Sequence, residues 1–501
     1  MLTLILAATL AANTEQVLAR YDAQEAKHLV PMLVEVVRFP THQFDQEAHR
    51  AQKAWLMKAA ADMGFTARDA GKITEIELAG PANAPVLGLV IHGDVQPAEP
   101  DAWSFPPFAG KVENGYVLGR GAADDKGPLI QALLAMKSLK ESGLPLTHTV
   151  RLLVGSEEES SAGEMAEYLK NHKAPDYSLV LDSEFPVVVG EKAWDGLALV
   201  APLASRDTKK PYDVVSIDAG LAPSIVPDRA EVTLRWRGEN PNWRKLANSL
   251  RGIRMAEGTR LVIGDEDGDT LRIVAYGKSA HSGVNIEGGR NALVALARVL
   301  EGKLPAGGAD DLLMFARAAG TDLHGRGLGI LDNDPVWGRY DVNVATVKPK
   351  ENDPASAVLF INIRRTPPRT AADAKNYFAH FVRMFNAATQ AKLTFATELS
   401  YFQDEPLVFN PNAKLVRRLM NVYATATGEK NPKPAISGGG TYAKRLPNSI
   451  AFGMWFPGKP YPGHDVDEKM PIADLERGTR VLIHALVDIA TGEKIEGAFA
   501  P

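Results

Sequence analysis

The sequence has no cysteine among its 501 residues. Disulfides, thiol nucleophiles and thiolate metal ligands are therefore excluded. Any metal must be held by His, Asp and Glu, which favours zinc, manganese or cobalt over an iron–sulfur centre. The same absence suits an exported protein as well as a cytosolic one. Excess charge is lacking too: the net charge is −5, with 23% charged residues. Nothing in that balance points to nucleic acid or acidic lipid as a partner. The glycine-rich stretch 119–128 lacks the GxxxxGK[ST] order of a phosphate loop. There is no internal repeat, low-complexity tract or coiled-coil heptad. The one long apolar run, residues 1–13, ends in small residues like the core of an export signal. It has no basic start and is too short for a membrane span. The expectation is a removable export segment over 1–13 and a periplasmic protein. The alternative is the first turns of an amphipathic helix in a cytoplasmic one.

What is present is ordinary globular composition, 45% hydrophobic, in a chain long enough for two or three domains. Short apolar runs at 86–91, 150–154 and 177–181 read as buried strands. Each ends in polar chemistry. The first leads into His92-Gly93-Asp94, the second into Glu157-Glu158-Glu159, and the third into Asp182. Open α/β sheets bind ligands at such strand ends. Taken singly, His92 reads equally well as a satisfied structural histidine, Asp124 as a helix cap, and the glutamates as a solvated charge run. Three adjacent carboxylates behind a buried strand nevertheless repel one another, and a cation offsets that repulsion. Glu158 and Glu159 can then divide roles, one holding metal and one moving protons.

Asp124 lies in Gly119-Arg120-Gly121-Ala122-Ala123-Asp124-Asp125-Lys126-Gly127-Pro128, ahead of a predicted helix over 129–139. The loop 97–110 carries Trp103, Phe105 and Phe108, as a pocket wall or as a packed lid on the core. After about Trp194, half-polar strands alternate with charged loops, so a second, α+β domain is expected at 195–388, inserted between catalytic parts at 14–194 and 389–501. It contains His281 in a Gly/Ser-rich loop. Further on, Gly438-Gly439-Gly440 is expected to feed a helix whose N–H groups take a substrate carboxylate. His464 again follows a strand.

Together these motifs resemble peptidase family M20, the metallopeptidases that include aminoacylases and glutamate carboxypeptidase. The likeness is greatest to the bacterial PepV-type dipeptidases. It implies an α/β, mixed-sheet zinc-peptidase catalytic domain with an inserted α+β lid domain, two zinc ions, and cobalt or manganese as substitutes. In that pattern His92 and Asp182 bind one metal, Glu159 and His464 the other, and Asp124 bridges both. Glu158 is the general base and Asp94 orients His92. His281 matches the transition-state histidine and Arg364 the carboxylate-binding arginine. The intervals from His92 to Asp124, Glu159 and Asp182 match the dipeptidase branch. Two departures stand out. Ser224 replaces an asparagine usual in that branch, so the oxyanion or substrate amide is held differently. The residues after His464 also differ from the common pattern, which puts substrate identity in question.

The implied reaction is hydrolysis of a dipeptide, with N-acyl amino acids as the alternative substrate. An inactive scaffold or binding module on the same fold is a remote third reading, disfavoured because all seven core positions are filled. Both substrates offer a carboxylate to Arg364 and to Gly439 and Gly440; only a dipeptide offers an α-ammonium group, for which Asp94, Glu184 and Asp465 are candidates. No nucleic acid or stable membrane partner is expected. The stretch between Trp194 and Phe385 exceeds the lid through which many members dimerise. It has room for two small lobes, which implies a monomer with His281 acting within its own chain. Mixing inactive His281→Ala and Glu158→Ala proteins is therefore expected to restore no activity, with a monomer by light scattering. Recovered activity in mixed dimers would overturn both expectations.

Overall fold

The computed structural model describes residues 2–264, 268–461 and 463–501. It separates into two compact units. One comprises the chain up to Glu191 together with Leu407–Pro501, and the other is Lys192–Pro406.

The first unit is built on a six-stranded sheet. Four neighbouring strands, Thr149–Gly155, Val86–His92, Tyr177–Val180 and Ser449–Ala451, run parallel. Ile73–Leu78 and the edge strand Thr66–Ala70 extend the sheet antiparallel. The apolar runs read from the sequence are these parallel strands, which are apolar on both sides because both faces are covered. On one face Leu89, Ile91, Leu152 and Val154 join Leu133 of helix Lys126–Glu141 and Leu482 of helix Ile472–Ala490 in the main core. On the other, Val90, Leu153 and Val180 pack with Met165, Tyr168, Tyr442 and Leu446. Parallel strands share a direction, so His92, the Glu158–Glu159 turn and Asp182 all emerge at the same end of the sheet.

The N-terminal helix runs over Leu2–Arg20 with Val17 and Leu18 buried. The expected export segment, 1–13, falls within this helix except for Met1, which lies outside the described residues. A π-helical turn, Tyr21–Glu25, joins it to helix Ala26–Val37. No helix among the described residues is long and apolar enough to cross a membrane.

The second unit is an eight-stranded antiparallel sheet. It runs from the edge Arg260–Ile263 through Thr270–Tyr276, Arg229–Trp236, Tyr212–Ala219, Asp341–Lys350 and Asp353–Arg365 to Ala193–Pro202 and Thr394–Phe395. Helices Ala292–Val299 and Gly308–Ala319 contribute to its apolar core. Two sets of four strands meet in this sheet where Ala219 pairs with Val347, in the stretch where the sequence left room for two small lobes. The unit also extends past residue 388, because Thr394 and Phe395 pair with Val200 and Leu199.

One buried ion pair staples this second unit. The Arg365 guanidinium donates to both carboxylate oxygens of Asp195, at 2.7 and 3.3 Å, and to the Asp404 carbonyl at 2.6 Å. Both side chains are inaccessible to solvent to within 1%, so removing Arg365 strands a buried carboxylate, whereas Arg365 has Glu405 as a second partner at 3.1 Å. Arg365→Met is expected to destabilise this unit by about 3–5 kcal/mol, and replacing Asp195 by Leu as well should recover much of the loss. Denaturant unfolding followed by tryptophan fluorescence measures both.

Candidate metal centre

His92 is the last residue of its strand and is buried. Its Nδ1 lies 2.9 Å from the Asp94 backbone carbonyl, so Nδ1 carries a proton and Nε2 is the nitrogen turned towards the carboxylates. The Asp94 carboxylate is farther away, 3.6 Å from Nδ1. It instead accepts the backbone N–H groups of Glu158 at 3.2 Å and Glu159 at 3.0 Å. The expected orienter of His92 therefore acts through its main chain, while its side chain fixes the turn that carries Glu158.

Asp124 stands between two imidazoles. One oxygen is 2.9 Å from His92 Nε2, and the other is 3.2 Å from His464 Nε2. Behind His92 lies Asp182, 3.8 Å from Nε2; behind His464 lies Glu159, 2.9 Å from its Nε2. The five residues thus run Asp182, His92, Asp124, His464, Glu159. Ligand atoms of His92, Asp124 and Glu159 fall within 4.8 Å of one another, as do those of His92, Asp125 and Asp182. His464 takes a left-handed backbone, φ 63°, an uncommon conformation for a residue with a side chain.

Of the three adjacent glutamates, Glu157 turns away to pair with Lys72 at 2.5 Å. Gln96 donates to Glu159 at 2.9 Å. The Glu164 carboxylate ties this turn to a second one: it accepts the Glu157 N–H at 2.9 Å and the Tyr442 hydroxyl. That hydroxyl fills the space over Gly155, where a Cβ would sit 1.8 Å from it.

The electrostatics are those of a donor set short of cations. Desolvation pushes the Glu158 carboxyl up to about 8, with Glu159, Asp94 and Asp124 adding to the rise against His92. Burial, followed by the charge of Asp125, holds Asp182 well above the carboxylate range. Burial likewise raises Asp125, with Asp124 adding to it. Burial opposes a charged His464, yet Glu159 and Asp124 carry it to about 10. Burial also opposes a charged His92, but the Asp124 hydrogen bond and the Asp182 charge outweigh it. Carboxylates forced towards neutrality beside imidazoles forced positive are groups competing for too little positive charge. His, Asp and Glu donors of this kind fit a divalent cation, and metal binding would displace those protons.

The residues of the second unit hold together among themselves. His281 is buried rather than loosely held in its Gly/Ser-rich loop. Its Nδ1 accepts the N–H groups of Gly283 and Val284, both at 2.9 Å, which leaves the proton on Nε2 when the ring is neutral. Ser282 donates to Asn362 at 2.8 Å, and Arg364 donates to Asn362 at 3.1 Å and to Ser282 at 3.3 Å. The Ser224 carbonyl accepts the Ser282 N–H at 2.9 Å. One buried network thus joins the His281 loop, Ser224 and Arg364.

The glycine turn differs from its expected form. Gly438–Gly440 feeds only a 3-10 turn, Tyr442–Lys444. The Gly439 N–H already donates to Ser437 Oγ at 3.0 Å, and the Thr441 N–H to the buried Glu191 carboxylate at 3.1 Å. The Glu191 carboxylate thus anchors the residue that follows the three glycines. Sequence reasoning also passed over Asp125 and Glu468. Asp125 was visible as the second half of an Asp-Asp pair. Its Oδ2 lies 3.4 Å from the His92 N–H.

Because the donor set lacks positive charge, divalent zinc or cobalt is expected to raise the melting temperature of chelator-treated protein, and chelator to lower it. An ion at about 100 times its dissociation constant adds about 2.7 kcal/mol. Thermal unfolding with and without the ion measures it; a melting temperature indifferent to metal would contradict the reading.

The model of peptidase family M20/M25/M40 matches residues 88–488. "Putative dipeptidase YtjP" of Bacillus subtilis (strain 168) is 30% identical over 476 residues, spanning 94% of this chain and 96% of that protein. A "Putative dipeptidase" of Staphylococcus epidermidis is 27% identical over 426 residues, 84% of this chain and 87% of that one. Among solved structures, human carnosine dipeptidase 1 superposes with a TM-score of 0.58 at 14% identity, covering 95% of this chain and 98% of that one. The di-peptidase Dug1p of Saccharomyces cerevisiae gives 0.58 at 15%, with the same coverage. At these identities the structural likeness establishes the fold, a mixed α/β catalytic unit with an accessory domain. With clustered His, Asp and Glu donors at the ends of its parallel strands and the family match across most of its length, the chain belongs to peptidase family M20/M25/M40.

Proposed function

We propose that this protein is a binuclear zinc dipeptidase that hydrolyses the amide bond of a free dipeptide. The observation that carries the reading is Asp124, with one oxygen 2.9 Å from His92 Nε2 and the other 3.2 Å from His464 Nε2. A carboxylate between two imidazoles, each backed by a further carboxylate, suits two cations spanned by one bridging group. In this proposal His92 and Asp182 hold one ion, Glu159 and His464 the other, and Asp124 both. The all-nitrogen-and-oxygen donor set favours zinc, with cobalt or manganese as substitutes. When bound, the two ions supply Lewis acidity at the scissile carbonyl and lower the pKa of the attacking water.

Glu158 does the proton work. It takes a proton from the water as the water oxygen bonds to the carbonyl carbon. It returns that proton to the amide nitrogen as the C–N bond breaks, freeing two amino acids. Asp94 keeps Glu158 in place by accepting its backbone N–H. His281 is assigned the developing oxyanion, and its fixed tautomer, with Nε2 the donor, suits that role. Arg364 is assigned the substrate carboxylate, on the family pattern. The dipeptidase names of the bacterial relatives support the substrate class.

The test is side-by-side kinetics on Ala-Ala and N-acetyl-alanine with metal-loaded protein. The expected outcome is the higher kcat/KM on the dipeptide; the reverse order would make the protein a deacylase, and inertness on both would refute the enzyme reading. Glu158→Gln is expected to lower kcat about 10²–10⁴-fold with the bound-metal count unchanged.

A further inference from the structure

The loop that carries His464 grips the Asp124 turn from both sides. At one end the Tyr461 hydroxyl hydrogen-bonds to Asp124 Oδ2. At the other, Glu468 reaches under the turn and takes hold of its main chain. Glu468 Oε1 accepts the N–H of Ala123 at 3.0 Å and that of Asp124 itself at 3.2 Å. Its Oε2 pairs with Arg120 Nη1 at 2.9 Å. The Glu468 backbone takes part as well: its carbonyl accepts the Gly119 N–H at 3.0 Å. The next residue, Lys469, is in register with Leu118 of the strand Tyr116–Leu118.

The cost of this arrangement shows what it is for. The Glu468 side chain is 0% exposed and that of Arg120 4%. A buried ion pair is seldom a net source of stability, and two strands already stitched by a ladder do not need one. What the carboxylate adds is a charged acceptor aimed at two main-chain N–H groups, a strong and directional bond. One of those N–H groups belongs to Asp124, the residue between the two imidazoles. Arg120 balances the charge and is itself held, its guanidinium 5.1 Å from the centre of the Trp103 ring. The neighbouring Ser104 is latched to Asp467, donating through N–H at 2.8 Å and Oγ at 2.9 Å. The aromatic loop is thus a brace behind this pair.

We propose that Glu468 is a positioning residue for the metal centre. It fixes the backbone of Asp124 relative to the His464 loop, so that the bridging carboxylate and the imidazole meet at ligating distance. The proposal rests on the two-metal reading above. Partners that orient metal ligands are worth about 10–100-fold in metal affinity. The test uses the chelator-stripped full chain and Co²⁺ as the probe. Calorimetric titration reads affinity and stoichiometry, and the visible absorption of bound cobalt reads ligand geometry. Glu468→Asp keeps the charge for Arg120 but is one methylene too short to reach the Ala123 and Asp124 N–H groups at the same time. Wild type is expected to take two ions. Glu468→Asp is expected to bind them about 10–100-fold more weakly, with a changed cobalt spectrum and a melting temperature for the metal-free protein within a few degrees of wild type. A purely structural role predicts the opposite, a lowered melting temperature with wild-type affinity and spectrum in the folded protein, and that result overturns the proposal. If Glu468→Asp does not fold, a charge-free double variant decides. Arg120→Met with Glu468→Leu buries no charge and removes the acceptor for the two N–H groups, so a loss of affinity of about tenfold or more with a changed cobalt spectrum supports the proposal, and wild-type affinity and spectrum overturn it. Wild type that takes up no cobalt refutes the two-metal reading and this proposal with it, an outcome distinct from failure of the variant alone.

Discussion

The interaction on which the first unit depends is the repulsion among carboxylates that the fold gathers in one place. Asp94, Asp124, Asp125, Glu158, Glu159 and Asp182 lie around two imidazoles at the ends of parallel strands. Water screens such charges poorly in a protein interior, so each must find a donor, a proton or a cation. Asp94 is satisfied by main-chain N–H groups. Asp124 is satisfied by two imidazoles, whose hydrogen bonds outweigh burial and keep its carboxyl well below the usual range. Burial raises Asp182, Asp125 and Glu158, and it raises Asp94 to about 7 despite those N–H groups. Asp124, held low by its imidazoles, thus stands apart from neighbours that are open to a proton or a cation.

The parts legible in the sequence share one property: local pattern and tertiary role coincide. The runs at 86–91 and 150–154 are buried on both faces, so their hydrophobicity is continuous and their strand ends are marked by the polar residues that follow. The edge strand Thr66–Ala70 was missed because its side chains are largely exposed and no alternation survives. Helix Gly308–Ala319 was missed because it opens on a pair of glycines, Gly307 and Gly308, and carries two aspartates in its first turn; Asp311 is buried against Arg206, a partner remote in sequence. The end of the inserted unit was placed too early because Thr394–Phe395 is a two-residue strand whose identity exists only through its pairing with Ala193–Pro202.

For the candidate site, ligand types and order could be read because they follow strands, whereas the groups that hold them could not. Glu468 and Arg120 are 348 positions apart, and nothing local distinguishes either from a surface charge. Gly438–Gly440 shows where a local pattern overstated a helix. A glycine run before a predicted helix suggests unfilled N–H groups. Here the helix shrinks to one 3-10 turn, pinned at Thr441, whose N–H and hydroxyl both donate to Glu191 at the end of strand Val188–Glu191.

The turns that bear the site residues are secured by side chains to main chain rather than by their own geometry. Glu158 and Glu159 hang from Asp94, the Glu157 N–H from Glu164, and the Asp124 N–H from Glu468. In each case a buried carboxylate accepts a peptide N–H, and so fixes a backbone independently of what the side chain on that backbone contacts. Two of the carboxylates also take a direct bond, Asp124 from the Tyr461 hydroxyl and Glu159 from Gln96, but each carboxylate oxygen has a second lone pair, and the bonds made one step back along the chain use none of them. The acidic residues of this unit therefore serve in two layers, and the outer layer holds the backbone of the inner one in place against the mutual repulsion of its carboxylates.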